Sequence, residues 1–358
     1  MTAGCLEASS QEIRIPERWS LQNHEVPSLL RSDTLTICVL GDVMMHSKQI
    51  EDALQSDGSY SFRCFDILRE KIEDTDLAIA NMEFTLAGAP YTGYPQFSAP
   101  DSFATYLAEC GFDIFLTANN HILDRGSEGA MRTLDIYESL EKSHRIKYTG
   151  SSKDPEDLTK RNPLIVRRKG YELALVNCTY GTNLGKTGMW PEINYIGAEE
   201  SLKKMLKVKA DITVAFPHWG IEYALQHSSG QEKTAGWLAD EGADLIIGAH
   251  PHVVQDCSVA GSQGIPVAYS LGNAVSNMSA ANTHIELMAT IRITRNEKGE
   301  PYILPLEFTY LWCSRPGGYT DNYAVIPVEE FIGTRDTWQG GWEYDKMVAT
   351  YNRIRKNK

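Results

Sequence analysis

The sequence predicts an α/β protein in which buried strands alternate with helices. Short apolar runs recur along the chain, and each one ends abruptly in polar residues. Runs that are apolar at successive positions are typical of strands covered on both faces. Segments with apolar residues at helical spacing lie between them. Further along, two longer runs flank a turn at residues 296–299, which predicts an antiparallel addition to the sheet.

Six of the short runs are predicted strands, and their ends carry most of the unusual polar residues. In chain order, the runs cover residues 35–40, 77–80, 114–118, 212–216, 245–247 and 267–269. Ligands of such sheets bind outside the carboxyl ends of the strands. We therefore expect the six polar ends to converge on one site.

Helical spacing predicts five helices between the strands. They cover residues 62–72, 102–110, 130–140, 201–208 and 231–241. Gly111 and Gly242 follow two of these segments and are typical of C′ caps. The longer runs at 285–294 and 302–310 are the predicted antiparallel strands.

Length and composition restrict the class of protein. The chain has 358 residues, of which 42% are hydrophobic, and this is enough to bury a large core. Its net charge of −13 argues against nucleic acid and anionic membranes as default partners. Seven scattered cysteines without CxxC spacing argue against a disulfide framework or a structural zinc site. We expect three regions: an N-terminal arm (1–33), one main domain (34–330) and a C-terminal closing segment (331–358).

The start of the chain leaves two interpretations open. No stretch approaches the roughly 20 apolar residues that span a bilayer, and no signal peptide is visible. Ala3-Gly4-Cys5 nevertheless resembles the end of a bacterial lipoprotein signal. Either this resemblance is a coincidence, or the chain starts inside a longer precursor in which Cys5 is lipidated.

The polar strand ends combine the side chains of a metal site. The set comprises Asp42, Glu83, Asn120, His121, His218, His250 and His252. Imidazole mixed with carboxylate and amide oxygen suits Mn, Fe, Zn or Ni better than Ca or Mg. A carboxylate that bridges two such ions is the usual core of a two-metal hydrolytic site. Residues two apart in an extended chain point the same way, so His250 and His252 can face one site.

These ordered motifs resemble a known family. Gly41-Asp42, Asn119-Asn120-His121, the isolated His218 and Gly248-Ala249-His250-Pro251-His252 resemble the signature of calcineurin-like metallophosphoesterases. Finer blocks at residues 81–83, 118–124, 218–223, 242–244 and 269–273 resemble the CapA family of capsule, or poly-γ-glutamate, biosynthesis proteins. The resemblance covers about residues 35–275 and implies a four-layer αββα sandwich of two mixed sheets.

The resemblance also implies roles for individual residues. The implied metal ligands are Asp42, Glu83, Asn120, His218, His250 and His252, with one or two divalent ions, Mn, Fe or Zn, as cofactors. Glu83 takes the place of the bridging aspartate, and His121 would protonate a leaving group. Asp124 either holds His121 or caps a following helix, and we favour the first because a catalytic histidine needs a nearby carboxylate. Met44 stands where phosphoesterases usually carry histidine, which weakens the expectation of a first metal ion and of phosphoesterase activity.

Five further residues are candidates for binding substrate. Trp219 and Tyr223 either stack on a substrate or serve packing. Glu222 either contacts substrate or an imidazole, or is an ordinary surface carboxylate. Ser270 and Asn273 either bind substrate or hold the last turn before the antiparallel strands.

The main functional expectation is a CapA-like hydrolase that uses metal-activated water on a phosphoester or a γ-glutamyl amide. The alternatives are a non-catalytic, metal-stabilised module for polymer binding or export, and a nucleotide or sugar phosphatase. The implied partners are an anionic capsule polymer or cell-envelope substrate and other capsule synthesis proteins, without nucleic acid. The family implies an extracytoplasmic, membrane-tethered place in the cell envelope, with the cytoplasm as the alternative.

Overall fold

The structure is a computed structural model that describes residues 33–356. All but the last residue of the predicted N-terminal arm, and Cys5 with it, lie outside the described residues. The strands are β1 (Leu35–Val43), β2 (Leu77–Met82), β3 (Ile114–Leu116), β4 (Lys147–Thr149), β5 (Ser151–Ser152), β6 (Leu164–Arg168), β7 (Tyr171–Thr179), β8 (Glu192–Ile193), β9 (Ile212–His218), β10 (Leu245–Ile247), β11 (Cys257–Ala260), β12 (Ile265–Ala268), β13 (Asn273–Val275), β14 (Ile285–Arg295), β15 (Pro301–Ile303), β16 (Glu307–Ser314) and β17 (Ala324–Pro327).

The helices connect these strands. They are α1 (Ser47–Ala53), α2 (Arg69–Glu73), α3 (Asp101–Glu109), α4 (Gly126–His144), α5 (Pro155–Arg161), α6 (Glu199–Leu206), α7 (Ser229–Glu241), α8 (Val328–Phe331) and α9 (Gly341–Lys356), with a 3₁₀ helix at Arg335–Thr337. Gly111 and Gly242, the predicted caps, follow α3 and α7 closely with φ of 96° and 128°. These angles favour glycine, so both predictions are confirmed.

The larger sheet is mixed, with nine strands among the described residues. β1, β2, β3 and β4 run parallel side by side. On the other side of β1, the sheet continues through antiparallel β14, β16 and β17, with β15 beside β14. This confirms the predicted antiparallel addition. β13 runs parallel to the carboxyl end of β1, where Asp42 lies opposite Asn273.

The second sheet has six strands in the order β11-β12-β10-β9-β7-β6. Its four central strands are parallel, and the two edge strands, β6 and β11, are antiparallel to their neighbours. β5 and β8 form a separate two-stranded ladder. Both main sheets are therefore mixed, and the carboxyl ends of the central parallel strands of each carry the predicted polar motifs.

Alternation along β1 shows how the layers form. Ile37 and Val39 belong to an apolar core that includes residues of the second sheet. Cys38 and Leu40 belong to another core, which includes residues of α3 and α4. α6 and α7 cover the outer face of the second sheet. Each sheet is covered on both faces, which explains the unbroken apolar runs. The predicted four-layer αββα sandwich of two mixed sheets is confirmed.

Two predicted elements are wrong in extent, and one pair was missed. Residues 62–72 are mostly turns, with a helix only in α2, because Phe62 packs on Phe103 from irregular backbone at a ring separation of 4.9 Å. Residues 302–310 form two strands, since Pro305 interrupts the run and cannot donate to a ladder. The hairpin of β6 and β7 was not predicted, although β7 is an interior strand of the second sheet.

The C-terminal region contributes to the sandwich through α9. Met347, Tyr351 and Ile354 are buried in the core between the sheets. The division of the chain into an arm, a main domain and a closing segment stays a prediction. Among residues 33–356, no helix combines the length and apolar character needed to cross a bilayer.

Two glycines bring β1 and β13 unusually close beside Asp42. A Cβ atom on Gly41 would lie 2.0 Å from the carbonyl oxygen of Gly272. The same carbonyl accepts the backbone N–H of Asp42 at 2.9 Å. Gly272 itself has a φ of 90°, so its role is conformational, whereas the role of Gly41 is close approach. The pair fixes where Asp42 leaves the sheet.

We expect Gly41→Ala to lower the free energy of unfolding by about 1–3 kcal/mol, because the added methyl group must separate β1 from β13. Urea denaturation measures this change. Gly236→Ala on α7 is the matched control, since a Cβ there meets no atom within 4 Å. Equal unfolding free energies for Gly41→Ala and the control would contradict the close approach.

Candidate metal centre

The predicted polar strand ends meet in one buried cluster. Asp42 is the penultimate residue of β1, Glu83 follows β2, and His218 ends β9. Asn120 and His121 follow β3, and His250 and His252 follow β10. All seven side chains are buried. The two sheets bring these ends together because the parallel strands of both point their carboxyl ends towards the same edge of the sandwich.

Glu83 lies at the centre of this cluster. Its Oε1 atom is 3.6 Å from Nε2 of His218, 3.8 Å from Nε2 of His252 and 3.9 Å from Nε2 of His121. Neither carboxylate oxygen has a hydrogen-bond partner among residues 33–356, and the side chain is fully buried. An ionised carboxylate is costly to bury unless positive charge compensates it. The surroundings of Glu83 therefore fit a bound cation.

Two groups of side chains have the composition and spacing of metal ligands. One consists of Glu83, His250 and His252, and the other of Asp42, Glu83 and His218. Within each group, the ligand atoms lie within 4.8 Å of one another. Glu83 belongs to both groups, as a carboxylate shared by two adjoining cation sites would. His250 supplies a further buried Nδ1 atom without a hydrogen-bond partner.

The pKa values of the two carboxylates, Asp42 and Glu83, are shifted in opposite directions. Burial would raise the pKa of Asp42, but the hydrogen bond and charge of His252 lower it overall. Burial and the neighbouring charge of Asp42 raise the pKa of Glu83 well above its usual value. The fold thus keeps one carboxylate ionised beside a histidine and leaves the other in need of a cation. A divalent ion would remove the penalty on ionised Glu83.

Two of the imidazoles are held neutral. Burial lowers the pKa of His250 to about 3. Burial, followed by the charge of His250, lowers the pKa of His218 well below its usual value. His252 differs, because burial is outweighed by Asp42, which raises its pKa. Metal ions bind neutral imidazole, so His218 and His250 are ready ligands at neutral pH.

Neighbouring amides orient the ligand side chains. The Asn81 side-chain amide donates to Asp42 Oδ1 at 2.7 Å and lies 3.2 Å from Nδ1 of His218. Asn120 Oδ1 is 2.9 Å from Nε2 of His218. Asn273 Oδ1 is 2.9 Å from Nδ1 of His252, which leaves Nε2 facing Glu83. Amide partners of this kind fix imidazole orientation at metal sites.

The segment after β10 reaches the cluster by an unexpected route. His250 and His252 have positive φ, 100° and 59°. Both imidazoles face the site, as predicted, but the predicted reason, an extended backbone, is wrong. A left-handed turn aims the two rings instead, with their centroids 5.8 Å apart. Non-glycine residues held in this backbone region are typical of functional sites.

His121 is held by Asp124 at the edge of the cluster. Nδ1 of His121 and Oδ2 of Asp124 are 2.7 Å apart, and the same oxygen accepts the backbone N–H of Phe97 at 2.8 Å. Of the two interpretations of Asp124, the structure has the contact with His121, since residue 125 occupies the N-cap of α4. An ionised carboxylate can only accept, so Nδ1 carries the proton and Nε2 faces Glu83.

An open cleft of about 300 Å³ adjoins His121 and Asp124. The residues lining it are Tyr94, Pro95, Gln96, Asn120, His121, Asp124, Asn183, Leu184 and Glu222. Glu222 is exposed there, and the neighbouring Tyr223 is exposed next to the ring of His252. The cleft gives a ligand access to one side of the buried cluster.

The other three candidates for substrate binding make internal contacts. Trp219 is buried and donates its indole N–H to the carbonyl of Tyr269 at 2.9 Å. The hydroxyl of Ser270 donates to the carbonyl of Val253. Asn273 contacts His252, and its amide donates within the turn that follows. Their contact with substrate stays a prediction, and none of them lines the cleft.

Two residues near the cluster were missed in the sequence. Tyr180 and Asn183 follow β7, and the Tyr180 ring lies 4.7 Å from the ring of His250. The side-chain amide of Asn183 is 3.3 Å from Nδ1 of His121. The signal was present, because the apolar run at 173–176 is followed by polar residues, as the other predicted strands are.

The segment after Asp42 departs from the phosphoesterase pattern at Met44, as expected. Met44 is buried and donates its backbone N–H to Val275. His46, two residues further on, is half-buried. Its ring packs edge-on against Phe97 at 5.1 Å, and its Nδ1 accepts the N–H of Asn277. It belongs to neither of the two ligand groups found among the described residues.

The fold and the cluster define an α/β sandwich protein in which two groups of side chains with the composition and spacing of metal ligands lie at the carboxyl ends of the strands. More particularly, the chain belongs to the bacterial capsule synthesis protein PGA_cap family, whose family model matches residues 36–278. Capsule biosynthesis protein CapA of Bacillus anthracis is 28% identical over 291 residues, which are 77% of this chain and 68% of that protein. PGA biosynthesis protein CapA of Bacillus subtilis (strain 168) is 24% identical over 288 residues, 77% of this chain and 72% of that protein.

Solved structures with related folds are more distant in sequence. A Mycoplasma pneumoniae phosphatase is 14% identical with a TM-score of 0.46, over 78% of this chain and 94% of that one. A 5'-nucleotidase of Candida albicans SC5314 is 12% identical with a TM-score of 0.45, over 90% of this chain and 56% of that one. At these values, the likeness says nothing about the activity of this chain.

We expect the effect of Glu83→Gln on the melting temperature to change sign when metal is added. Without metal, the variant should melt at or above the wild-type temperature, because a buried and unpartnered carboxylate has been removed. With Mn²⁺ or Zn²⁺ in excess, it should melt below the wild type, because the shared ligand is lost. Thermal denaturation with chelator and with metal measures both effects.

Glu286→Gln is the matched control for that experiment. Glu286 is also fully buried with a raised pKa, which burial causes, and it accepts the N–H of Gly41 at 3.3 Å. It belongs to neither ligand group. Its metal-induced stabilisation should equal that of the wild type, and an equal metal response in Glu83→Gln would contradict the central place of Glu83.

Proposed function

We propose that this protein is a metal-dependent hydrolase of the cell envelope that acts on a phosphoester or a γ-glutamyl amide of a capsule polymer. The observation that carries the proposal is Glu83, a buried carboxylate that has no hydrogen bond to any described residue and has three imidazole nitrogens 3.6–3.9 Å from one of its oxygens. Such a cluster is suited to cations, and it opens onto a cleft where a substrate can lie.

The side chains fit two adjoining divalent ions. The residues that would hold them are Asp42, Glu83, Asn120, His218, His250 and His252. Mn, Fe or Zn suits this mixture of nitrogen and oxygen donors. When bound, such ions acidify water and stabilise developing negative charge on a substrate oxygen. Met44 contributes no ligand of this kind, so the site containing Asp42 is the poorer in imidazole.

The protein's own acid–base group is His121. Asp124 accepts from Nδ1 at 2.7 Å and so fixes the orientation of the ring. Nε2 is directed towards the cluster, where it can take up a proton from solvent and pass that proton to the leaving group. Asn183, 3.3 Å from Nδ1, forms another side of this pocket. Substrate held against His121 in the cleft would be kept close to the metal ligands.

Family membership supports the polymer as the substrate. The related proteins of both Bacillus species are described as capsule or PGA biosynthesis proteins. A hydrolase in that setting would trim or release chains of the polymer, most directly at the cell surface. We place the protein in the cell envelope on the strength of those relatives.

We expect His121→Ala to lower turnover by about 10²- to 10⁴-fold without loss of bound metal, since a positioned acid–base group contributes this much. Asp124→Asn should lower turnover less and should change its pH profile, because the carboxylate acts through the histidine. The assay uses metal-loaded protein with p-nitrophenyl phosphoesters and γ-glutamyl p-nitroanilide, and elemental analysis gives the metal content.

His144→Ala is the control, because His144 is exposed at the end of α4. Turnover that is unaffected by His121→Ala would contradict the assigned role. Metal-dependent binding of capsule polymer without turnover would instead identify a non-catalytic polymer-binding module. Turnover confined to nucleotides or sugar phosphates would identify a phosphatase, and a protein that takes up no metal would overturn the proposal.

A further inference from the structure

The charge of the cleft is unusual for a protein whose proposed substrate is an anionic polymer. No lysine or arginine stands among the nine residues that line it in the part of the chain that the structure describes. Two carboxylates do, and the oxygen of Asp124 that faces His121 is already occupied by His121 and by the N–H of Phe97. Glu222 is the carboxylate that remains open to solvent there. Long polyanions are usually bound by basic side chains, and here compensating positive charge would come only from ions in the adjoining cluster, so the carboxylate of Glu222 is suited to a different group.

Three exposed tyrosines lie on the same side of the cluster as Glu222. Tyr94 lines the cleft and is 76% exposed, and Tyr180 and Tyr223 are 51% and 45% exposed. The rings of Tyr180 and Tyr223 lie 4.7 Å from His250 and 6.3 Å from His252, so both stand at the mouth of the cluster. Aromatic faces beside a carboxylate are a recurrent means of binding ammonium groups.

Backbone contacts fix the segment that carries Glu222. Gly220 and Tyr223 have positive φ, 99° and 65°, so the segment after β9 turns sharply. The N–H of Tyr223 donates to the carbonyl of Pro251 at 2.8 Å, which ties this segment to the turn between His250 and His252. Burial raises the pKa of Tyr223 and of Tyr180, and the charge of Glu222 adds to both. The carboxylate of Glu222 therefore lies within electrostatic range of both tyrosine rings.

We propose that Glu222, flanked by Tyr94, Tyr180 and Tyr223, binds a primary ammonium group of the substrate. The inference rests on the proposed function in one respect, namely that the substrate lies in this cleft. It adds that the group next to the scissile bond is an amine and not a side-chain carboxylate. For a γ-glutamyl chain, that group is the free amino terminus, so the protein acts at the amino end of the chain. A deacetylated amino sugar presents the same chemistry.

The test compares matched ligands that differ only in the amine. Tetra-γ-glutamate is compared with its N-acetylated form, and a glucosamine tetramer with an N-acetylglucosamine tetramer. Calorimetric titration into metal-loaded protein gives the affinities, and mass spectrometry checks that each ligand stays intact. The free amine should bind about 5- to 10-fold more tightly in one pair, and added salt should weaken this preference.

Glu222→Gln should remove the preference for the amine while leaving affinity for the acetylated ligand within about twofold. Glu297→Gln is the control, because its turn follows the end of β14 that pairs with the start of β1, away from the cluster. The pair that shows the preference identifies the source of the amine.

Equal affinities within both pairs would overturn the proposal, as would an amine preference that survives Glu222→Gln. Because binding is measured, absence of turnover leaves this test intact and bears only on the proposed hydrolase. Metal content is measured on the same samples, so loss of the ions is distinguished from loss of the amine contact.

Discussion

Glu83 is fully buried, and neither of its oxygens has a hydrogen bond within the described part of the chain. A carboxylate in that position needs compensating positive charge or must take up a proton. Imidazoles surround it at 3.6–3.9 Å, and burial keeps His250 and His218 largely neutral. The requirement for a cation thus comes from the arrangement of the cluster itself, and the rest of the sandwich serves to hold that arrangement.

The backbone around the cluster is shaped for the same purpose. Gly41 allows β1 to approach the carbonyl of Gly272, which fixes Asp42. Left-handed turns at His250 and His252 aim two rings into the cluster. Conformations of this kind persist only where the surrounding structure enforces them. Here the two packed sheets supply the enforcement, since each contributes strand ends to the site.

Much of this could be predicted because buried parallel strands have a simple sequence pattern. The runs ending at Asp42, Glu83, His121 and His218 are short and apolar, and their ends converge as α/β topology requires. The left-handed backbone at His250 could not be predicted, because φ depends on tertiary contacts that the short His-Pro-His pattern does not encode. The run before Tyr180 carried the same signal as the others but was overlooked.

Anomalous X-ray scattering from crystals of the protein loaded with Mn²⁺ or Zn²⁺ tests the metal centre most directly. We expect one or two anomalous peaks inside the cluster, with Glu83 within coordination distance of each and His218, His250 or His252 beside them. Peaks only at the protein surface, or none in the cluster at saturating metal, would contradict the assignment of Glu83 as the ligand around which the site is built.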